Sequence, residues 1–368
     1  MKIKEISKQD TTVFKAIGIL LIVFHNYLHW VAPDTGENEF YFSANVIKNL
    51  FQGIINTPLE SINLFFDFFG YYGVQIFIFI SGVGLTLSML TKKEKYGTYI
   101  LHRLKTIYAM LLVVIVFFFF YRLAIDAHLL NNTECRELLW KFLLIHTIIP
   151  NQSLSLSGQW WFLGLIFQLY ILLPLLLNII KKFNIKGFIA ICLFAYVCTY
   201  AVEFLFSLPE GINWYANSIA HLPEFAFGIL IALNFQKKIH PIFFIIAVIV
   251  FCLGTFSKLF FPLTFLSITL ILYFVISRLL VWIKKHQWIN KILLNIGTLS
   301  MAIFIVHGLF RSKFISIFSD SWYEKLIGAF LFFITIYAVA IVANILYHRI
   351  YNLLNKFSKK KNNSCKVQ

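Results

Sequence analysis

Ten long apolar segments constrain the fold of this chain more than any other feature. The hydrocarbon core of a bilayer is about 30 Å thick, so a spanning helix needs roughly 20 mostly apolar residues. Hydrophobic residues make up 60% of the 368 residues and charged residues 13%, a balance that is not typical of a soluble globule. We therefore predict an all-α polytopic membrane protein. The predicted spans are 12–32, 71–90, 104–125, 159–180, 187–207, 217–235, 240–256, 260–283, 292–311 and 325–348.

The distribution of basic residues sets the orientation of these spans. An even number of spans places both termini on one side of the bilayer. The termini and the loops on their side hold roughly three times as many Lys and Arg residues as the opposite loops, an excess typical of the cytoplasmic side. Both termini are therefore predicted to be cytoplasmic. Because the basic residues form short clusters between apolar runs, the net charge of +16 indicates a lipid bilayer and not a nucleic-acid partner.

The spans are expected to form a single domain over residues 1–350. Residues 351–368 form a basic tail that we predict to be disordered and to lie against the anionic cytoplasmic leaflet. Residues 45–69 show two amphipathic turns split at Pro58, which we expect at the outer interface. Residues 138–149 are apolar but too short to span.

The first apolar segment carries polar side chains that hydrocarbon penalises, namely Lys15, His25, Asn26 and His29. A charge near the centre of a spanning helix costs roughly 3 kcal/mol, so such residues face protein or a wet cavity and are often functional. His25 and His29 share a helix face, and Lys15 lies about 15 Å along the axis from His25. Histidine exchanges protons near neutral pH, which makes His25 a candidate general base. The alternatives are a His25 that only packs against a neighbouring helix and a Lys15 that reaches the inner surface.

Further ionisable residues lie in later spans, where each needs a partner or a water-filled cavity. Glu203, Glu224 and His307 belong to this class. The candidates for lining a substrate path are Asn26, His29, Glu224 and His307. No metal-ligand spacing occurs in the sequence, so we expect no metal.

The second predicted span carries Gly73, Gly82 and Gly84, a small-residue face that allows close approach of another helix or of an acyl chain. A basic and aromatic cluster that includes Arg103 and Lys105 follows on the cytoplasmic side. The positive-inside rule explains these charges, and attraction of a phosphate-bearing cofactor is a compatible second explanation.

The fourth predicted span opens with two tryptophans and contains a proline. Trp160 and Trp161 are typical of an aromatic belt at the outer interface. Pro174 predicts a kink. Packing alone therefore accounts for most of this segment.

An ordered series of motifs extends over most of residues 8–350. The first motif is Lys15 followed by His25, the second is Gly73 and Val74 with Phe77, Ser81 and Gly82, and the third is Arg103. The fourth is Trp161 and Phe162 with Tyr170 and Pro174. The fifth is Pro223, Glu224 and Phe225 with Gly228, and the last is Gly297 and Ser300 before His307. In this order the motifs resemble the acyltransferase family 3 membrane proteins, which include bacterial O-acetyltransferases that modify cell-surface glycans. Two positions depart from the family pattern: Lys15 stands where arginine is usual, and Ile166 stands near a usual glutamate.

The resemblance implies a function and a set of residue roles. It implies transfer of an acetyl or short acyl group from acetyl-CoA or another acyl-CoA to a hydroxyl of a cell-surface polysaccharide or its lipid-linked precursor, in the plasma membrane of a bacterium. His25 is then catalytic, either as the general base or as a transient carrier of the acyl group. Arg103, Lys15 and Lys105 then bind the donor. The residues leave open a proton-coupled transporter or flippase of a glycolipid or organic acid, which would use the same ionisable groups as a relay.

Overall fold

The computed structural model describes residues 6–31, 35–92, 95–123, 130–206, 208–233, 239–318 and 320–364, with side chains described as far as residue 356. Within these ranges the chain forms α-helices and short 3₁₀ turns, and no strand. The α-helices are α1 (Lys8–Leu28), α2 (Ala44–Asn56), α3 (Ser61–Phe69), α4 (Gly73–Lys92), α5 (Tyr96–Tyr121), α6 (Asn132–Phe142), α7 (Trp161–Phe183), α8 (Ile185–Phe204), α9 (Leu222–Ala232), α10 (Ile242–Phe256), α11 (Thr264–Lys285), α12 (Gln287–Val306), α13 (Arg311–Ile315) and α14 (Trp322–Ser364).

Ten apolar helical elements correspond one to one with the ten predicted spans. Within the described residues, 8 helices are long and apolar enough to cross a membrane. Two shorter apolar helices, Ser218–Ala232 and Ile242–Phe256, complete the set. Local hydrophobicity is sufficient to determine where such helices form, because lipid leaves the backbone no other way to satisfy its hydrogen bonds. The all-α polytopic membrane fold is confirmed.

Helix α1 lies at the centre of the bundle, where it contacts α3, α4, α12 and α14. Ser7 and Asp10 form a capping box at its start, in which each side chain accepts a hydrogen bond from the backbone N–H of the other residue. Phe14, Ile19 and Val23 are buried along its length. Because neighbouring helices enclose α1, its polar side chains face protein.

Helices α4 and α9 pack closely because glycines stand at their contact. A Cβ on Gly82 would overlap the carbonyl oxygen of Phe225, and a Cβ on Gly228 would overlap the carbonyl oxygen of Phe79. Gly84, in contrast, faces open space. The close approach predicted for the small-residue face of α4 therefore occurs at Gly82, and at Gly73 against the Gly18 carbonyl oxygen of α1, but not at Gly84.

The two tryptophans before and at the start of α7 lie inside the bundle. Trp160 is fully buried and donates a hydrogen bond from Nε1 to the carbonyl oxygen of Ile305 at 3.3 Å. Trp161 is 3% exposed and packs edge-on against Phe40. The predicted aromatic belt is wrong for this pair, because the groups that cover it come from distant segments that a local pattern does not reveal.

Helices α2 and α3 form the amphipathic pair predicted for residues 45–69, and Thr57 and the 3₁₀ turn Pro58–Glu60 separate them. Leu50 and Leu64 are buried on their inner faces. Residues 138–149 cross no membrane, since α6 ends at Phe142 and a turn follows.

The C-terminal helix is longer than the sequence predicts. Because α14 continues to Ser364, residues 351–364 are helical where we predicted a disordered tail. Leu354 continues the apolar pattern of the preceding turns, and lysines favour a helix C-terminus, which explains the extension. Residues 365–368 of the predicted tail, like residues 1–5 of the predicted domain, lie outside the described residues.

Candidate active site

The outer end of α1 brings two histidine rings together. The rings of His25 and His29 stack with their centroids 5.1 Å apart. Gly70 allows the turn between α3 and α4 to approach this end of α1, because a Cβ on Gly70 would come within 2.5 Å of the His25 Cβ. His25 itself is buried. The close approach at Gly70 brings the end of α3 into hydrogen-bonding range of the histidines.

His25 meets a hydrogen-bond acceptor at each ring nitrogen. Nδ1 lies 2.8 Å from the backbone carbonyl oxygen of Asp67, and Nε2 lies 3.2 Å from Oε2 of Glu37. The Tyr71 ring lies edge-on to the imidazole, with the centroids 5.4 Å apart. Two acceptors match the two N–H groups of an imidazolium. The arrangement can therefore hold the ring after it has taken up a proton.

The Asp67 carboxylate joins α3 to the end of α1 and to the loop that follows α1. It is fully buried and lies 2.7 Å from Nδ1 of His29. Its second oxygen accepts hydrogen bonds from the Thr35 backbone N–H at 2.9 Å and from the Thr35 hydroxyl at 2.6 Å. These bonds fix the start of the loop that carries Glu37, and so keep Glu37 within reach of His25.

A cavity of about 410 Å³ opens beside His25. Its polar lining includes His25, Asn26, His29, Glu37, Glu39, Gln159 and Arg311, and its aromatic lining includes Trp30, Phe40, Tyr71, Trp161 and Phe304. The distribution of basic residues assigns this end of α1 to the outer side of the membrane. Apolar walls with a few converging polar groups are typical of sites that bind small molecules. Asn26 and His29, both predicted to line a substrate path, line this cavity.

Arg311, the first residue of α13, brings a cation to the cavity. Its Nη1 donates a hydrogen bond to Oδ1 of Asn26 at 3.3 Å. Its guanidinium carbon lies 4.4 Å from the centroid of the Trp30 ring, a cation–π contact. A fixed positive charge at this position favours a negative charge elsewhere in the cavity.

The pKa values of two carboxyl groups in the loop after α1 are shifted in opposite directions. Burial acts to raise the pKa of Glu37, but the hydrogen bond and the charge of His25 outweigh it and lower that pKa below its ordinary value. Burial, and then the neighbouring Glu37 carboxylate, raise the pKa of Glu39 well above its ordinary value. Between the two pKa values the pair holds one ionised and one protonated carboxyl group.

Sequence reasoning did not predict the four charged residues Glu37, Glu39, Asp67 and Arg311 as parts of this site. They stand in a loop, at the end of a short helix and in a one-turn helix, and no spacing relates them to His25. The acidic composition of the first outer loop was the one available signal, and it does not distinguish a site residue from a solvated charge.

Arg103, predicted to bind the donor, lies near the start of α5 and not at the cavity. Its guanidinium lies 5.2 Å from the Tyr99 ring centroid and 5.9 Å from that of Tyr170. Nη2 donates to Ser88 Oγ at 3.3 Å, and Nε is buried without a hydrogen-bond partner in the described chain. Arg103 is therefore an incompletely satisfied guanidinium on the inner side.

The other two basic candidates also lie away from the cavity. Lys105 donates a hydrogen bond from Nζ to Oδ1 of Asn355 at 3.3 Å, so α5 and α14 meet there. Lys15 is partly buried on α1. Ten residues separate Lys15 from His25, about 15 Å along the helix. The structure thus separates the predicted donor-binding residues from the histidine pair.

Glu224 and His307 are buried but are not among the residues that line the cavity. Oε2 of Glu224 lies 3.9 Å from Nδ1 of His221 and accepts no hydrogen bond in the described chain. Nδ1 of His307 lies 2.7 Å from the carbonyl oxygen of Phe304, and Nε2 has no hydrogen-bond partner there. Their role on a substrate path stays a prediction.

One cluster has the composition of a metal site. Ligand atoms of His25, His29 and Asp67 lie within 4.8 Å of one another. Hydrogen bonds already join both histidines to Asp67, so packing and hydrogen bonding explain the cluster without an ion. The expectation of no metal stays a prediction.

Comparison with known proteins gives one match. A protein-family profile described as an acyltransferase domain matches residues 10–349, a range that includes every residue that lines the cavity. No curated protein and no solved structure matches the chain. Roles for individual residues are therefore argued from the geometry of this chain.

Proposed function

Because the chain belongs to acyltransferase family 3, we propose that it transfers an acetyl or other short acyl group from acyl-CoA to a hydroxyl of a glycan. The acceptor in this proposal is a cell-surface polysaccharide or its lipid-linked precursor, and the enzyme resides in the plasma membrane of a bacterium. The proposal depends on one observation above all, which is that His25 and its partner Glu37 both line the outer cavity.

In the proposed reaction His25 is the general base. Its imidazole takes the proton of the acceptor hydroxyl while the hydroxyl oxygen attacks the carbonyl carbon of the thioester. The new carbon–oxygen bond forms, the carbon–sulfur bond breaks, and the departing thiolate takes the proton back from the imidazolium. The products are the acyl ester and free CoA. A general base contributes a factor of about 100 to 10,000 to such a rate.

Two neighbours of His25 support this role. The Asp67 carbonyl accepts the hydrogen bond of Nδ1–H and so directs Nε2 towards Glu37 and the cavity. Glu37 lies beside Nε2, where its carboxylate places a negative charge next to the imidazolium that forms during the step. The Asp67 carbonyl and the Glu37 carboxylate therefore both stabilise the imidazolium form of His25.

The composition of the cavity supports a sugar as the acceptor. Trp30 and Trp161 supply aromatic faces, and Gln159 and Glu39 supply hydrogen-bonding groups. Sugars present apolar C–H faces and polar hydroxyl edges, which such a mixed lining can contact. The outer position of the cavity would give it access to a glycan outside the cytoplasm.

The proposal assigns the phosphates of the donor to the inner side. Arg103 carries a buried Nε without a hydrogen-bond partner in the described chain, and Lys15 and Lys105 add positive charge on the same side. Phosphate is a strong acceptor for such groups. The thioester end of the donor must then extend through the bundle towards His25, over a distance of about 15 Å from Lys15.

Release of free thiol tests this proposal. The purified protein in nanodiscs would receive acetyl-CoA and a crude glycan-lipid extract. We expect the wild type to release CoA only when the extract is present, and His25→Ala to lose about 100- to 10,000-fold of this rate. The matched control is His348→Ala, because His348 is exposed on α14, away from the cavity.

Two results would contradict the proposal. If His25→Ala retains the wild-type rate, the assignment of the base fails. If the folded wild type neither binds nor consumes acetyl-CoA, the assignment of acyl-CoA as the donor fails. The transporter or flippase then becomes the better explanation, because a transporter has no reason to consume a thioester.

A further inference from the structure

A second cavity lies between α10 and α11, far along the chain from the histidine pair. It has a volume of about 490 Å³. Phe244 and Ile245 of α10 and Phe274 and Leu279 of α11 form its apolar walls. The rings of Phe244 and Phe274 meet edge to face, with their centroids 5.8 Å apart. Ile245 and Leu279 are 54% and 43% exposed, so this groove opens on the surface that faces lipid.

Among the described lining residues, Arg278 is the charged one. Arg278 lies one turn after Phe274 and one turn before Trp282, so the three side chains form a stripe along α11. Arg278 is exposed and makes no hydrogen bond or ion pair with any residue in the described chain. An arginine inside a spanning helix is costly unless an anion or water satisfies it. Among the described residues that line the groove, none supplies a negative group for this arginine.

The groove lies in the cytoplasmic half of the membrane. Helix α11 ends at Lys285 on the side that the basic residues assign to the cytoplasm. Arg278 stands seven residues before that end, about 10 Å along the axis, and its side chain can extend towards the headgroup level. Pro241 at the start of α10 and Trp282 near the end of α11 also line the groove, and an indole is favoured at this depth.

We propose that this groove is a binding site for one anionic glycerophospholipid of the cytoplasmic leaflet. The lipid phosphate pairs with the Arg278 guanidinium, and an acyl chain lies against Phe244, Ile245 and Leu279. Basic pockets between spanning helices on the cytoplasmic side commonly bind anionic headgroups. The site is distinct from the acyl-transfer cavity, since the two have no lining residue in common.

Three features of the groove favour this occupant over others. Its opening faces the hydrocarbon region, where lipids are the abundant ligands. Its walls are apolar apart from a single cation, which suits one phosphate and an acyl chain and gives no contacts for the many polar groups of a sugar. A guanidinium binds phosphate through two parallel hydrogen bonds, which makes it well suited to this headgroup.

Native mass spectrometry of the delipidated full-length protein tests the proposal. The protein in a non-ionic detergent would be titrated with phosphatidylglycerol or with phosphatidylcholine of identical acyl chains. We expect the wild type to bind phosphatidylglycerol more tightly than phosphatidylcholine. Arg278→Gln should weaken the binding of phosphatidylglycerol about five- to tenfold. The control is Lys285→Gln, which removes the same charge from the same helix outside the groove and should leave the affinity within about twofold.

A second pair of variants tests the apolar walls. Ile245→Trp fills the groove, and Ile249→Trp adds the same bulk one turn further on the exposed face of α10, outside the groove. We expect the first to reduce phosphatidylglycerol binding and the second to leave it unchanged. Thermal unfolding in phosphatidylcholine shows that each variant is folded.

Three results would overturn the proposal. The first is equal affinity of the wild type for phosphatidylglycerol and phosphatidylcholine. The second is unchanged phosphatidylglycerol binding by Arg278→Gln. Displacement of phosphatidylglycerol by acetyl-CoA would assign the groove to the acyl donor instead.

Discussion

The Nδ1 atom of His25 lies 2.8 Å from the backbone carbonyl oxygen of Asp67, so the main chain of Asp67, and not its carboxylate, contacts the candidate base. The side chain of Asp67 has a different, structural role, since its carboxylate accepts two hydrogen bonds from Thr35 and contacts Nδ1 of His29. Stability and catalysis therefore respond differently to a substitution of Asp67.

Removal of the Asp67 side chain should destabilise the protein. Asp67→Ala leaves the Thr35 N–H and hydroxyl and one His29 nitrogen without their acceptor, which costs about 1–3 kcal/mol for a buried group. Thermal unfolding would measure the loss. Glu210→Ala removes an exposed carboxylate and is the control, with little expected change. A melting temperature of Asp67→Ala equal to that of the wild type would contradict the structure of this loop.

Loss of the Glu37 charge should slow transfer without unfolding the protein. Glu37→Gln keeps the size and an acceptor oxygen but removes the charge that faces His25, so we expect kcat to fall about 10- to 100-fold. The measurement is the rate of acceptor-dependent CoA release at saturating acetyl-CoA. Glu134→Gln is the control, because Glu134 pairs with Arg122 and does not contact His25. An unchanged kcat would show that Glu37 does not assist the base.

The raised pKa of Glu39 should make stability depend on pH. In the unfolded chain this carboxyl titrates near 4.5, whereas the folded protein keeps the proton to higher pH. Unfolding then releases a proton, so stability falls as the pH rises from about 4.5 towards the raised pKa. Glu39→Gln is neutral throughout and should reduce this fall. Melting temperatures of both proteins between about pH 4.5 and 8 provide the test. Parallel curves would contradict the raised pKa.

Two glycines of α4, Gly82 and Gly84, should respond differently to an added methyl group. Gly82→Ala forces a Cβ onto the Phe225 carbonyl oxygen, and overpacking of this kind costs about 1–3 kcal/mol. Gly84→Ala meets open space and should be neutral or stabilising, since alanine favours a helix by up to about 1 kcal/mol. Thermal unfolding of both variants in the same nanodiscs compares them. Equal melting temperatures would show that α4 and α9 are not packed as described.

The spans and the position of the first-helix histidine followed from patterns that are local in the chain, whereas the family resemblance depended on the order of motifs along most of it. The spans are visible because each helix must satisfy its own backbone in lipid, which requires about 20 apolar residues in a row. Lys15, His25, Asn26 and His29 were conspicuous for the same reason, since hydrocarbon penalises polar groups in such a run. Even here the local pattern failed at Trp160, because a pattern cannot show that a distant carbonyl will accept its N–H.

Only the tertiary structure decided which groups surround His25. Glu37 and Asp67 contact His25 from a loop and a short helix that are 12 and 42 positions away along the chain. Arg311 lines the same cavity from a one-turn helix, nearly 290 positions away. The sequence alone determined that this is a membrane bundle with a histidine pair in its first helix. Side-chain convergence at the cavity depends on how loops close between packed helices, and loop geometry is set by those distant contacts and not by the composition of the loops themselves.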